Sequence, residues 1–86
     1  MYQIQKGLII QKIDKETIIF DAEESVLYTL NETAADIFKM LKKGLKEKEI
    51  VENMVKKYKV KKERVEKDVK ELVEELKKRK ILIVKK

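Results

Sequence analysis

Apolar residues follow two different rhythms along this chain, and the rhythm changes at residue 31. Before it come three short runs rich in β-branched and aromatic residues: Leu8-Ile9-Ile10-Gln11-Lys12-Ile13, Thr17-Ile18-Ile19-Phe20-Asp21-Ala22 and Ser25-Val26-Leu27-Tyr28-Thr29-Leu30. Only Asp14-Lys15-Glu16 and Glu23-Glu24 separate them, and connections that short join antiparallel neighbours. The pattern therefore predicts a three-stranded meander over 8–13, 17–22 and 25–30, with Gly7 marking its entry. In the third strand Val26, Tyr28 and Leu30 share one face, while Ser25, Leu27 and Thr29 share the other.

At Asn31 the period switches from two to 3.6. The Asn31 side chain can accept from the free backbone N–H groups of a starting helix, and Glu32 suits the positive end of its dipole. Ala34, Ile37, Phe38 and Leu41 then follow at helical spacing, predicting a first helix over 32–43 closed by Gly44. A second, over 46–58, gathers Ile50, Val51, Met54, Val55 and Tyr58 on one stripe. The third and longest, over 62–80, places Val65, Val69, Leu72, Val73 and Leu76 within an arc of about 100°. The predicted class is α+β: a three-stranded antiparallel sheet followed by three α-helices, in one domain spanning 1–86.

A meander leaves its first and third strands at the sheet edges, where unpaired N–H and C=O groups can template another strand. No Pro or Lys interrupts the third strand. One expectation is that the apolar segment Ile81-Leu82-Ile83-Val84 returns to cover that edge; the other is that the edge is open to a partner.

Composition narrows the chemistry. A chain of 86 residues has room for one modest core, which favours a binding or accessory role over a buried catalytic cavity. It has no Cys and no His, which removes thiol chemistry, imidazole base catalysis and the usual zinc ligand sets. Two glycines 37 positions apart, Gly7 and Gly44, cannot form a phosphate-binding loop. The carboxylates of the last two helices alternate with Lys at ion-pair spacing, the pattern of a solvated face. No apolar run is long enough for a membrane span or signal peptide, so a cytoplasmic protein is expected.

The net charge of +6 is unevenly divided. Residues 1–30 carry three lysines against five carboxylates, a net −2, and residues 31–86 carry 19 basic against 11 acidic groups, a net +8. A sheet followed by short helices and a basic surplus raises a winged-helix DNA-binding regulator as an alternative. Against it, the third helix interleaves Lys61, Lys62, Arg64, Lys67 and Lys70 with Glu63, Glu66, Asp68 and Glu71, so phosphates would meet carboxylates along its length. Self-pairing through the strand edge, giving a homodimer, is a further possibility.

With the elements placed, the chain resembles the PqqD-like family, small proteins and domains that recognise the precursor peptides of ribosomally made, modified natural products. The resemblance runs from about Leu8 to Leu82. It rests on the Leu30-Asn31-Glu32-Thr33-Ala34-Ala35-Asp36-Ile37-Phe38 switch, then Lys43-Gly44-Leu45, Glu49-Ile50-Val51, Tyr58-Lys59-Val60, Val65-Glu66-Lys67-Asp68-Val69 and Leu72-Val73-Glu74-Glu75-Leu76. Many relatives place Gly before the final apolar residues, whereas Lys80 stands there in this chain, which predicts a third helix that runs on further.

The resemblance implies a winged-helix-like fold that binds no nucleic acid. The leader of a precursor peptide would add as a strand to the third strand and lie in the groove beside the third helix. Carried over residue by residue, Ser25, Val26, Leu27, Tyr28, Thr29 and Leu30 supply the edge, and Asp68, Val69, Leu72, Val73 and Leu76 supply the facing wall. The implied role is a non-enzymatic peptide chaperone that needs no cofactor of its own. It presents the peptide to a modifying enzyme, a radical S-adenosylmethionine protein as in pyrroloquinoline quinone biosynthesis, or to lasso-peptide maturation. The basic third helix suggests a leader carrying acidic residues.

Overall fold

The structure, a computed structural model, describes residues 2–84, the last by its backbone alone. Its elements run β1 (Tyr2–Ile4), β2 (Leu8–Ile13), β3 (Glu16–Asp21), β4 (Val26–Leu30), α1 (Glu32–Lys42), α2 (Glu47–Tyr58), α3 (Lys62–Lys78) and β5 (Leu82–Val84). Strands β2, β3 and β4 form the antiparallel meander in that order. Ile10, Ile19 and Tyr28 stand opposite one another across it, as do Ile9, Phe20 and Leu27 on the other face. The first row turns toward the helices, and Ile19 and Leu30 are buried there. The second row faces outward, leaving Leu27 60% exposed.

The turn into β4 explains where that strand begins. Asp21 Oδ1 accepts from the backbone N–H groups of Glu23 and Glu24 at 3.1 and 3.2 Å, a side-chain-closed turn that competes with strand pairing. Ser25 completes it in the left-handed region, at φ +56°. The strand starts at Val26, so Ser25 belongs to the turn and not to the sheet edge.

The Asn31 switch has the geometry its sequence suggests. Asn31 is extended, and its Oδ1 accepts from the Ala34 backbone N–H at 2.9 Å and from the Thr33 hydroxyl at 3.0 Å. Such a cap is worth about 1 kcal/mol. Helix α1 then buries Ile37, Phe38 and Leu41. With Ile50, Val51 and Met54 of α2, and Val65, Val69, Leu72, Val73 and Leu76 of α3, they form a single core between the helices and the inner face of the sheet.

The helix ends differ from expectation by more than one residue in one place. After α1, Gly44 sits at φ +88°, and Leu45 N–H reaches back to the Met40 carbonyl at 3.1 Å while Gly44 N–H reaches Leu41 at 3.0 Å. After α3 the same paired bonds recur, Ile81 N–H to Leu76 and Lys80 N–H to Lys77, at 2.9 and 3.0 Å. Lys80 takes the left-handed position there, at φ +60°. The helix therefore stops at Lys78 instead of running on to residue 80: burial of Ile81 against the core holds the reversal although no glycine provides it.

Beyond that reversal, β5 pairs with β1 and not with β4. Ile4 lies opposite Leu82 and Gln3 opposite Ile83, and Gln5 N–H continues the ladder to the Ile81 carbonyl at 2.8 Å. The expectation that residues 81–84 cover the edge of the third strand is thus corrected. The N-terminal strand, whose alternation Tyr2-Gln3-Ile4 is only three residues long, takes that segment. The β4 edge stays open.

Candidate functional site

A strand edge becomes a site when something stands opposite it. Strand β4 pairs on one side with β3 and on the other with no described strand. Across from that free side runs α3. No Cα of β4 comes within 8 Å of a Cα of α3, whereas α1 packs on both. Helix α1 is therefore the floor, and β4 and α3 are the two walls of a groove of about 520 Å³. Tyr28 lines it from the strand, Ala34 and Ile37 from α1, and Arg64, Asp68, Glu71, Leu72 and Glu75 from α3.

The helical period explains why these side chains of α3 share a wall. Arg64, Asp68, Glu71, Glu75 and Arg79 lie at steps of four, three, four and four, which keeps them within an arc of about 80°. The core stripe centred on Val69 and Leu76 is turned about 110° from it. Val69, Val73 and Leu76, expected on the wall from the resemblance, are core residues with 2% exposure or less. Asp68 and Leu72 are the members of that expected set that line the groove. Leu72 lies at the seam, buried in the core yet touching the groove floor.

Arg79 closes one end. Its guanidinium lies 4.7 Å from the centre of the Tyr28 ring, and its Nε donates to Glu75 Oε1 at 2.8 Å. The Glu75 carboxylate thus holds the Arg79 cation over the Tyr28 ring face. This contact links the strand wall to the helix wall where the backbones do not meet. Burial, followed by the nearby Glu75 carboxylate, pushes the Tyr28 hydroxyl above its ordinary pKa even though Arg79 opposes the shift; Tyr28 stays a neutral, amphipathic surface. Arg64, Glu71, Glu75 and Arg79 were not among the expected site residues. Their spacing was visible in the sequence, but an apolar stripe at the same period drew the assignment to the core side.

The charges along this wall alter the expectation of an acidic leader. Two arginines stand against Asp68, Glu71 and Glu75, so the groove flank of α3 is not basic. The surplus of α3 is carried by Lys62, Lys70 and Lys77 on its other sides and by Lys67 and Lys78 at the margin of this flank, where Lys67 Nζ lies 4.0 Å from Glu71 Oε1. No group of His, Cys, Asp and Glu among the described residues is arranged to hold a metal ion.

Fold and groove together define a winged-helix-like domain whose outermost wing strand is free to take another strand. The family described as Coenzyme PQQ synthesis protein D (PqqD) matches residues 16–82, most of the chain, and the protein belongs to that family. No curated protein sequence matches it. Among solved structures the chain is similar to TbiB1 in complex with the TbiA(beta) leader peptide, with 21% identity, a TM-score of 0.87 and coverage of 98% of each chain. It is likewise similar to lasso peptide synthetase B1 complexed with the leader peptide, with 22% identity, a TM-score of 0.88 and coverage of 96% of this chain and 98% of that one. At such identities the likeness establishes the fold. No helix among the described residues is long and apolar enough to cross a membrane.

Proposed function

We propose that this protein is a non-catalytic leader-peptide recognition element: it captures the leader of a ribosomally made precursor as an added strand on β4 and presents the rest of the peptide to a separate modifying enzyme. The observation that carries this is the open β4 edge facing α3 across a groove floored by α1. An added strand lies about 4.8 Å from its neighbour. Its backbone bonds would supply affinity, and its alternate side chains would enter the groove and set the register. Membership of the PqqD family supports the reading, as do the two structural relatives, each of which holds a leader peptide. Val26, Leu27, Tyr28, Thr29 and Leu30 are the edge we assign, with Asp68 and Leu72 facing it. The enzyme served is a radical S-adenosylmethionine protein or one of the lasso-peptide maturation enzymes.

Binding of a fluorescently labelled leader, taken from a short precursor encoded beside the gene, tests this directly. The leader should saturate the protein while a scrambled version of the same composition does not. Equal binding of both, or a preference for duplex DNA with steep salt dependence, would instead favour the regulator reading.

A further inference from the structure

Carboxylates on a helix flank ordinarily face only water and select nothing. Those of α3 differ because they face an open strand edge across a groove, and because their order matches the length of a strand. From Arg64 to Arg79 the helix advances about 22 Å, the reach of six or seven extended residues at about 3.4 Å each. Along that length the flank reads positive at Arg64, negative at Asp68, Glu71 and Glu75, and positive at Arg79. Arg79 is already engaged by Glu75 and Tyr28. Asp68 has no cation within 4.0 Å among the described residues, and Glu71 has only Lys67, at 4.0 Å and largely solvated. The middle of the wall therefore holds one carboxylate without a cation, Asp68, and one weakly paired, Glu71, to meet a ligand.

Resting on the leader-binding reading, we propose that the groove selects leaders carrying a Lys or Arg side chain at a central, helix-facing position of the added strand. Every second residue of that strand points toward α3, at intervals of about 7 Å, so its helix-facing side chains sample the wall at three or four points. The apolar floor of Ala34, Ile37 and Leu72 lies beside Asp68. A cationic side chain with a long aliphatic stem satisfies both, its stem on the floor and its head on the carboxylates. A central Asp or Glu would instead meet like charge.

Selection from a displayed library of randomised extended peptides, using the full chain as bait, needs no knowledge of the natural leader. Enriched sequences should share one Lys or Arg at a fixed position, flanked at alternate positions by apolar residues. Replacing that residue by Glu should weaken binding more than about fivefold. The double variant Asp68→Lys with Glu71→Lys, altering two solvated positions, should enrich Asp or Glu there instead. Enriched peptides with no charge preference, or the same preference for the variant as for the natural protein, would overturn the inference while leaving leader binding intact. Failure to enrich any peptide would overturn both.

Discussion

Lys80 shows how one residue can hold a conformation its chemistry disfavours. A side chain at φ +60° crowds the following carbonyl at a cost of about 1 kcal/mol, which glycine escapes. Gly44 fills the equivalent place after α1. Lys80→Gly should accordingly raise stability by about 0.5–1 kcal/mol, measured by urea unfolding with an unchanged slope; a loss of stability would mean that the Lys80 side chain makes a contribution the backbone geometry does not explain.

The phenols give a second prediction at this scale. The Tyr58 hydroxyl donates to Asp36, which also accepts from Lys57 Nζ at 2.7 Å, and the Tyr2 hydroxyl donates to Glu47 at 2.7 Å. Each hydrogen bond to a carboxylate, with lesser help from burial, pushes its phenol up to about 12. A folded pKa above the unfolded value of about 10 favours the protonated phenol. The resulting stability is complete below pH 10 and is lost as pH rises toward 12. At the acid side the sign reverses: burial raises the Asp36 pKa, but the bonds from Lys57 and Tyr58 outweigh it and leave a net depression, so stability from this node is lost as pH falls through the carboxylate range. Phenolate absorbance should show two of the three tyrosines titrating near pH 12 in the native protein and near pH 10 in denaturant. Native midpoints near 10 for all three would contradict these hydrogen bonds.

Helix α3 carries two jobs on two stripes about 110° apart. The core stripe was readable because apolar residues at helical spacing have one common explanation, burial. The groove stripe was written in the same sequence as Arg64, Asp68, Glu71, Glu75 and Arg79, but a polar stripe looks like any solvated face until an opposing wall is known. The meander and the Asn31 switch were legible for the opposite reason, since local turn and capping chemistry determines them within a few residues. Pairing of β1 with β5 joins segments about 80 residues apart through three-residue strands, and nothing local announces such a match. The division of α3 predicts a division of mutant effects. Leu76→Ala should cost about 2–5 kcal/mol of stability. Asp68→Asn should leave stability within about 0.5 kcal/mol and alter only peptide binding. Comparable destabilisation by both would mean that the stripes are not separate.

Across the whole molecule, the basic surplus and the groove do not coincide. A net charge of +6 suggests a polyanion-binding surface, yet the wall facing the open strand carries more carboxylates than arginines, while the lysines of α3 lie on its other sides or at the margin of that wall. Net charge therefore bears on long-range attraction and solubility, whereas selection belongs to the local order of charge along one flank. The meander, the pairing of β5 with β1 and the position of α1 all leave the same edge free. Had β5 paired with β4, as the sequence allowed, the groove would be filled by the chain itself.

Amide hydrogen exchange across residues 26–30, followed by NMR with and without the leader of a neighbouring precursor gene, tests strand addition most directly. Added backbone bonds should slow exchange at alternate residues of β4, those whose N–H groups face away from β3, and leave the intervening ones unchanged. Protection spread evenly over the chain, or confined to α2 and α3 with β4 unaffected, would contradict capture of the peptide as a strand.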